Sequence, residues 1–185
     1  MLIDRFMPEF DVTERHGTLV AAPPEAAYEA VRRVDLGRSA QIQVLFALRG
    51  MPAFLLWRRR GGGRPTLTLD DLLRSGFSLL EEDPPFEIVL GLVGTFWRPT
   101  GGIRRIAGEE FEAFAEPGYA KAAWNFRVTP GTGGRCMVST ETRVRCTDDA
   151  SRRKFVLYWA VVGLFSGVVR KQALKLIKRD AEGSS

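Results

Sequence analysis

Between Phe77 and Cys146 apolar residues recur at every second position, and from Asp148 to about residue 180 they recur at helical spacing. Those two periods, in that order, constrain the fold more than any other feature. Consecutive strands joined by short turns pair with their sequence neighbours, and one long helix must then bury an apolar face on the sheet they form. The strand-like runs are FSLLEED (77–83), FEIVLGLVGTFW (86–97), a short GGIRRIA (101–107), YAKAAWNFRVTP (119–130) and GRCMVSTETRVRC (134–146). Pro84–Pro85 and the GTGG run at 131–134 supply turns, and GEEFEAFAEPG (108–118) reads as a helical turn. Asp148 and Asp149 stand at the start of the last helix, where its dipole favours negative charge.

The first part of the chain has a different rhythm. FDVTERHGTLVAA (10–22) reads as a strand; Pro23–Pro24 ends it and opens a helix carrying Ala27, Tyr28, Val31 and Val34. A second short helix is expected from Ser39, with Ile42, Leu45 and Phe46 on its apolar side and Gly50 and Pro52 as its stop. The run AFLLW (53–57) and a loop with Gly61 to Gly63 between arginines follow. Thr68 and Asp71 then form a capping-box pair before Leu72 and Leu73, closed by Gly76. The expected class is therefore α+β: an antiparallel meander and a long C-terminal helix, with two short helices after the first strand. The 185 residues suit one domain (1–185) with an inserted segment at about 51–76.

The net charge of +5 is concentrated at the end of the chain: from Asp148 onward eight basic residues face four acids. No aromatics are interleaved with these cations, so they read as a solvated helix end and no nucleic-acid partner is expected. Cys136 and Cys146 lie ten positions apart in one strand-like run, too far for a disulfide unless the strand folds back, and MLIDRFMPEF is not a signal peptide. A cytoplasmic, reducing setting is expected. The longest apolar run, 155–169, is shorter than the roughly 20 residues that span a bilayer. One histidine and two separated cysteines make no ordinary zinc site, and Walker, dinucleotide and G-x-S-x-G patterns are missing, so neither metal nor cofactor is expected.

The run Thr18 to Tyr28, TLVAAPPEAAY, followed by the strand ladder and terminal helix, resembles the helix-grip fold of the START-like superfamily. Polyketide cyclases, relatives of the birch-pollen allergen and lipid-transfer proteins are members. Gly94 to Arg98 (GTFWR), Tyr119 to Phe126 (YAKAAWNF) and Ser139 to Arg143 (STETR) are similar to segments of bacterial members, and the resemblance covers most of the chain outside 51–76. It implies a curved antiparallel sheet wrapped around the long C-terminal helix, with a cavity between them. It implies no reaction, because no catalytic motif is shared.

Strand parity then nominates the lining. Leu90, Leu92 and Phe96 share one face, as do Ala122, Trp124, Phe126 and Val128, and Cys136, Val138, Thr140, Thr142 and Val144. Trp124, Thr140 and Thr142 can donate hydrogen bonds to an otherwise apolar ligand. Asn125 and Glu141 have the opposite parity and are expected at the surface. His16 shares parity with Val12, Glu14, Thr18 and Val20; it is the one acid/base candidate, with Glu14 as its neighbour across the pleat. The last helix carries a stripe of Phe155, Tyr158, Trp159, Val162, Phe165 and Val169 for the sheet. A second stripe, Leu157, Val161, Leu164 and Val168, needs another cover: the inserted segment, a second copy in a homodimer, or a membrane surface. The expected function is binding of a hydrophobic small molecule, lipid or polyketide-like. The alternatives are a cyclase- or hydrolase-like enzyme using His16, and a peripheral membrane or protein-interaction module using the last helix.

Overall fold

The structure, a computed structural model, describes residues 1–40, 42, 66–98 and 101–183, and of Leu164 the backbone only. The AFLLW run, the arginine-flanked glycine loop and most of the helix expected from Ser39 fall outside these residues. At its start, Ser39 Oγ accepts from Ile42 N–H, as an N-cap does.

The elements are α1 (Leu2–Phe6), β1 (Val12–Val20), α2 (Pro24–Arg33), a 3-10 turn (Leu36–Arg38), α3 (Leu69–Ser75), β2 (Ser78–Asp83), β3 (Glu87–Gly94), a 3-10 turn (Gly108–Glu110), β4 (Ala120–Pro130), β5 (Cys136–Cys146) and α4 (Asp149–Glu182). The five strands form one antiparallel sheet in the order β1-β5-β4-β3-β2. The chain therefore lays down one edge, crosses through α2 and α3 to the other edge, and meanders back until β5 pairs with β1. With α4 held against β1, β5 and β4, this is the α+β helix-grip arrangement.

Local chemistry sets the boundaries. Thr68 and Asp71 cap α3 reciprocally, and Gly76 ends it with φ 119°; a Cβ there would lie 2.6 Å from Ile103 Cγ2. Asp148 caps α4: its carboxylate accepts from Ser151 N–H at 2.8 Å, Ser151 Oγ–H at 2.7 Å and Gly118 N–H at 2.6 Å. Residues 101–107, expected as a strand, make one bridge to the sheet, between Arg104 and Val93. Gly101 and Gly102, at φ 71° and 47°, turn the chain too sharply there for a ladder to continue.

Two layers of core result. On the concave face, Ile88, Phe126, Val128 and Val138 meet Ala27, Tyr28 and Val31 of α2 and Ala173, Leu174 and Ile177 from the C-terminal half of α4. On the convex face, Val89, Val93 and Ala123 are covered by Phe111 and by Ile3, Phe6 and Met7 of the N-terminal segment. This second layer explains why β3 is apolar on both faces. It also corrects the placing of Asn125 and Glu141 at the surface: they are 2% and 6% exposed. The Glu87 carboxylate accepts from Asn125 Nδ2, Leu2 N–H and Ile3 N–H, Asn125 Oδ1 accepts from Glu141 N–H, and Arg143 joins Glu141, Asp4 and Met7 O. Opposite parity turned these side chains away from α4, as expected, but toward α1 instead of water.

Among the described residues no helix is long and apolar enough to cross a membrane, no acid, histidine or cysteine cluster could hold a metal ion, and both cysteines are free. Burial pushes the Cys146 thiol up to about 12, with the charge of Asp11 acting in the same direction.

Candidate functional site

The N-terminal half of α4 bridges the concave face without filling it. Large side chains on both walls hold a 420 Å³ cavity apart. The sheet contributes Leu92, Phe96, Ala122, Trp124, Thr142 and Val144, and Phe77 adds to that wall. The helix contributes Phe155, Tyr158, Trp159, Val162, Phe165, Ser166, Val169 and Arg170, which extend along about 22 Å at the usual rise. Seven of these residues are aromatic. Phe155 anchors the group: it is 1% exposed, stacks on Trp159 with ring centroids 5.6 Å apart, and meets Phe96 edge-on at 6.3 Å. Phe165 is 45% exposed, at the rim.

Of the nominated residues, Leu92, Phe96, Trp124, Thr142, Tyr158, Val162 and Phe165 meet around this space. Leu90 and Phe126 lie beyond Trp124, around a separate 20 Å³ gap beneath α2 and α3. Thr140 is fully buried; its hydroxyl accepts from Trp124 Nε1–H at 2.7 Å and donates to Asn125 O at 2.8 Å. Neither the Trp124 indole N–H nor the Thr140 hydroxyl is left for a ligand. Thr142 differs: its Oγ1 is buried with no protein partner.

His16 stands beside the cavity and is not among its lining residues. Its Nε2 is 2.9 Å from Glu14 Oε1, and Glu14 Oε2 lies 2.9 Å from Arg170 NH1, whose side chain is 8% exposed. With Glu14 as a carboxylate, the facing His16 nitrogen is the protonated one and donates. Arg170 NH1 also reaches Ser166 Oγ, whereas its Nε has no protein partner. Burial pushes the Arg170 guanidinium down from its ordinary range and Glu14 pushes it back up; arginine stays charged there. The cavity thus has an apolar body and a polar pole where α4 crosses β1 and β5. In that register Glu14 lies opposite Thr142, and Thr142 opposite Trp124.

Sequence reading missed Phe77, Ser166 and, the one that carries charge into the site, Arg170. It belonged to the basic tail, and nothing in the tail's composition distinguishes it from its solvated neighbours. The available signal was its place four residues after Ser166 and one after Val169, on the inward stripe.

No family of known sequences matches this chain, and no curated protein matches it. Among solved structures, TTHA0849 from Thermus thermophilus is similar over 94% of this chain and 99% of its own, at 11% identity and a TM-score of 0.38. CalU16 from Micromonospora echinospora covers 94% and 96% at 9% identity and a TM-score of 0.31. The Zhui aromatase/cyclase from Streptomyces sp. R1128 covers 92% and 93% at 17% identity and a TM-score of 0.33. Likeness of this degree carries no argument about activity.

Proposed function

We propose that this protein binds a hydrophobic, ring-bearing small molecule between α4 and the sheet. The observation that carries the reading is the 420 Å³ space between helix and sheet with aromatic walls on both sides. Side-chain interiors ordinarily leave few voids larger than a water molecule, whereas ligand sites fall at roughly 300–1,000 Å³ with mostly apolar linings. Burial of ligand surface here contributes about 25 cal/mol per Å² before ordering costs.

The acid/base alternative has less geometric support. His16 Nε2 faces Glu14, and the pair supports Arg170, so His16 serves as a positioning residue. The outer face of α4, with Leu157 75% and Val161 63% exposed, supports a second reading as an apolar docking face. Flotation of wild type and Leu157→Lys with liposomes separates that reading from cavity binding.

The test is native mass spectrometry of the purified protein, with titration of N-phenyl-1-naphthylamine as an apolar fluorescent probe. A co-purified apolar molecule or saturable probe binding is expected, and Ala122→Phe, which fills the cavity, is expected to abolish the binding while retaining the fold. A bare protein mass together with no probe binding overturns the proposal.

A further inference from the structure

Arg170 Nε and Thr142 Oγ1 are buried polar atoms without protein partners, and both residues line the cavity at its polar end. Arg170 as a residue is 7% exposed and Thr142 9%. A buried donor left unsatisfied costs about 1–3 kcal/mol, so two of them at one end of an apolar space are a recognition feature. Their chemistry restricts what can meet them. Guanidinium Nε–H donates and never accepts, while a threonine hydroxyl does either; a group that satisfies both must be an acceptor.

Charge restricts it further. The Arg170 cation is already matched by the Glu14 carboxylate at 2.9 Å, and the second Glu14 oxygen is held by His16. No other charged side chain lines the cavity among the described residues. An added carboxylate would bring an uncompensated buried negative charge, whereas a carbonyl oxygen adds none. Resting on the cavity-binding reading, we infer that the bound molecule is an apolar, ring-bearing compound with a neutral carbonyl oxygen, received by Thr142 Oγ1–H and Arg170 Nε–H.

Three probes of nearly one shape test this: 1-acetonaphthone (neutral acceptor), 1-ethylnaphthalene (no acceptor) and 1-naphthoate (anionic acceptor). Wild type is expected to bind the ketone roughly tenfold more tightly than the hydrocarbon, in line with one or two net hydrogen bonds. Thr142→Val keeps the shape and removes the hydroxyl; Arg170→Lys keeps the charge beside Glu14 and removes Nε–H. Each is expected to cut the ketone-to-hydrocarbon affinity ratio at least threefold. Thr142→Val is also expected to raise the melting temperature of the free protein, since it removes an unpaired buried hydroxyl. Equal wild-type affinities for ketone and hydrocarbon, or a ratio unmoved by Thr142→Val, overturn the carbonyl assignment and leave cavity binding standing. Tighter binding of the naphthoate overturns neutrality. Failure of all three probes to bind overturns both the assignment and the reading beneath it.

Discussion

Gly167 lies where α4 crosses the Glu14–His16 pair, and a Cβ at that position would stand 2.7 Å from Glu14 Oε1 and 3.5 Å from His16 Nε2. The carboxylate in the way is tied on one side to Arg170 and on the other to His16, so it does not swing aside freely. Alanine in a helix interior ordinarily gains about 1 kcal/mol over glycine. Gly167→Ala is expected to forgo that gain in the wild-type background and to recover it beside Glu14→Ala. Urea denaturation of the four proteins in the double-mutant cycle measures the coupling. An equal gain in both backgrounds would show that the contact is not restrictive. Gly163 and Gly167 stand four residues apart in the apolar run of the last helix, and that spacing is legible in the sequence as one that lets another segment approach closely. What approaches is not, because Glu14 lies about 150 residues away in the chain. Parity likewise placed Glu14 and His16 on the inner face of β1 but held no information on Arg170, which joins them only through tertiary packing.

The two apolar stripes of α4 differ in what faces them. Phe155 is 1% exposed beneath Phe96 and Trp159, while Leu157, two residues on, is 75% exposed. Phe155→Ala is therefore expected to cost about 3–5 kcal/mol and Leu157→Lys to stay within about 0.5 kcal/mol, both read by urea denaturation. A large loss in Leu157→Lys would reveal a cover over the outer stripe. Helical spacing made both stripes legible, and the aromatic one was the natural choice for the sheet. The expected cover by the inserted segment lies outside the described residues. At the start of the same helix, hydrogen bonds from Ser151 and then Gly118 hold the Asp148 carboxyl well below the usual range. A group lowered on folding adds stability that is full above its unfolded value near 4 and fades as pH falls through the folded one. Asparagine caps comparably without ionising. Asp148→Asn is thus expected to show a smaller drop in melting temperature between pH 7 and pH ~3 than wild type. Some drop persists, since Asp4 and Asp71 are lowered too. Identical drops in the two proteins would remove Asp148 from the acid response.

Across the whole molecule the sheet separates a cavity side from a supporting side, and β4 carries both in alternate residues. The meander of β2 to β5 was legible from period and turns. The closure of β1 onto β5 was not, because periodicity says nothing about which distant edges meet. The cover of the convex face was missed for another reason. α1 has five residues, and the buried Ile3, Phe6 and Met7 are too few to register as a helical period. Trp124 and Asn125 test the division directly. Trp124 borders the cavity, with its indole held by Thr140, whereas Asn125 bridges Glu87 and the Glu141 backbone beneath α1. Trp124→Ala removes a wall and is expected to weaken N-phenyl-1-naphthylamine binding at least fivefold, about 1 kcal/mol. Asn125→Ala leaves a buried carboxylate and a buried amide short of partners, and is expected to cost about 2–4 kcal/mol of stability. Because its side chain faces away from the cavity, probe affinity of the folded fraction should be unchanged. Urea denaturation gives the stability of each variant, and titration well below its unfolding midpoint gives the affinity. If Asn125→Ala weakened binding as much as Trp124→Ala did while both stayed folded, the two faces would be coupled through β4, and the separation of support from binding would not hold.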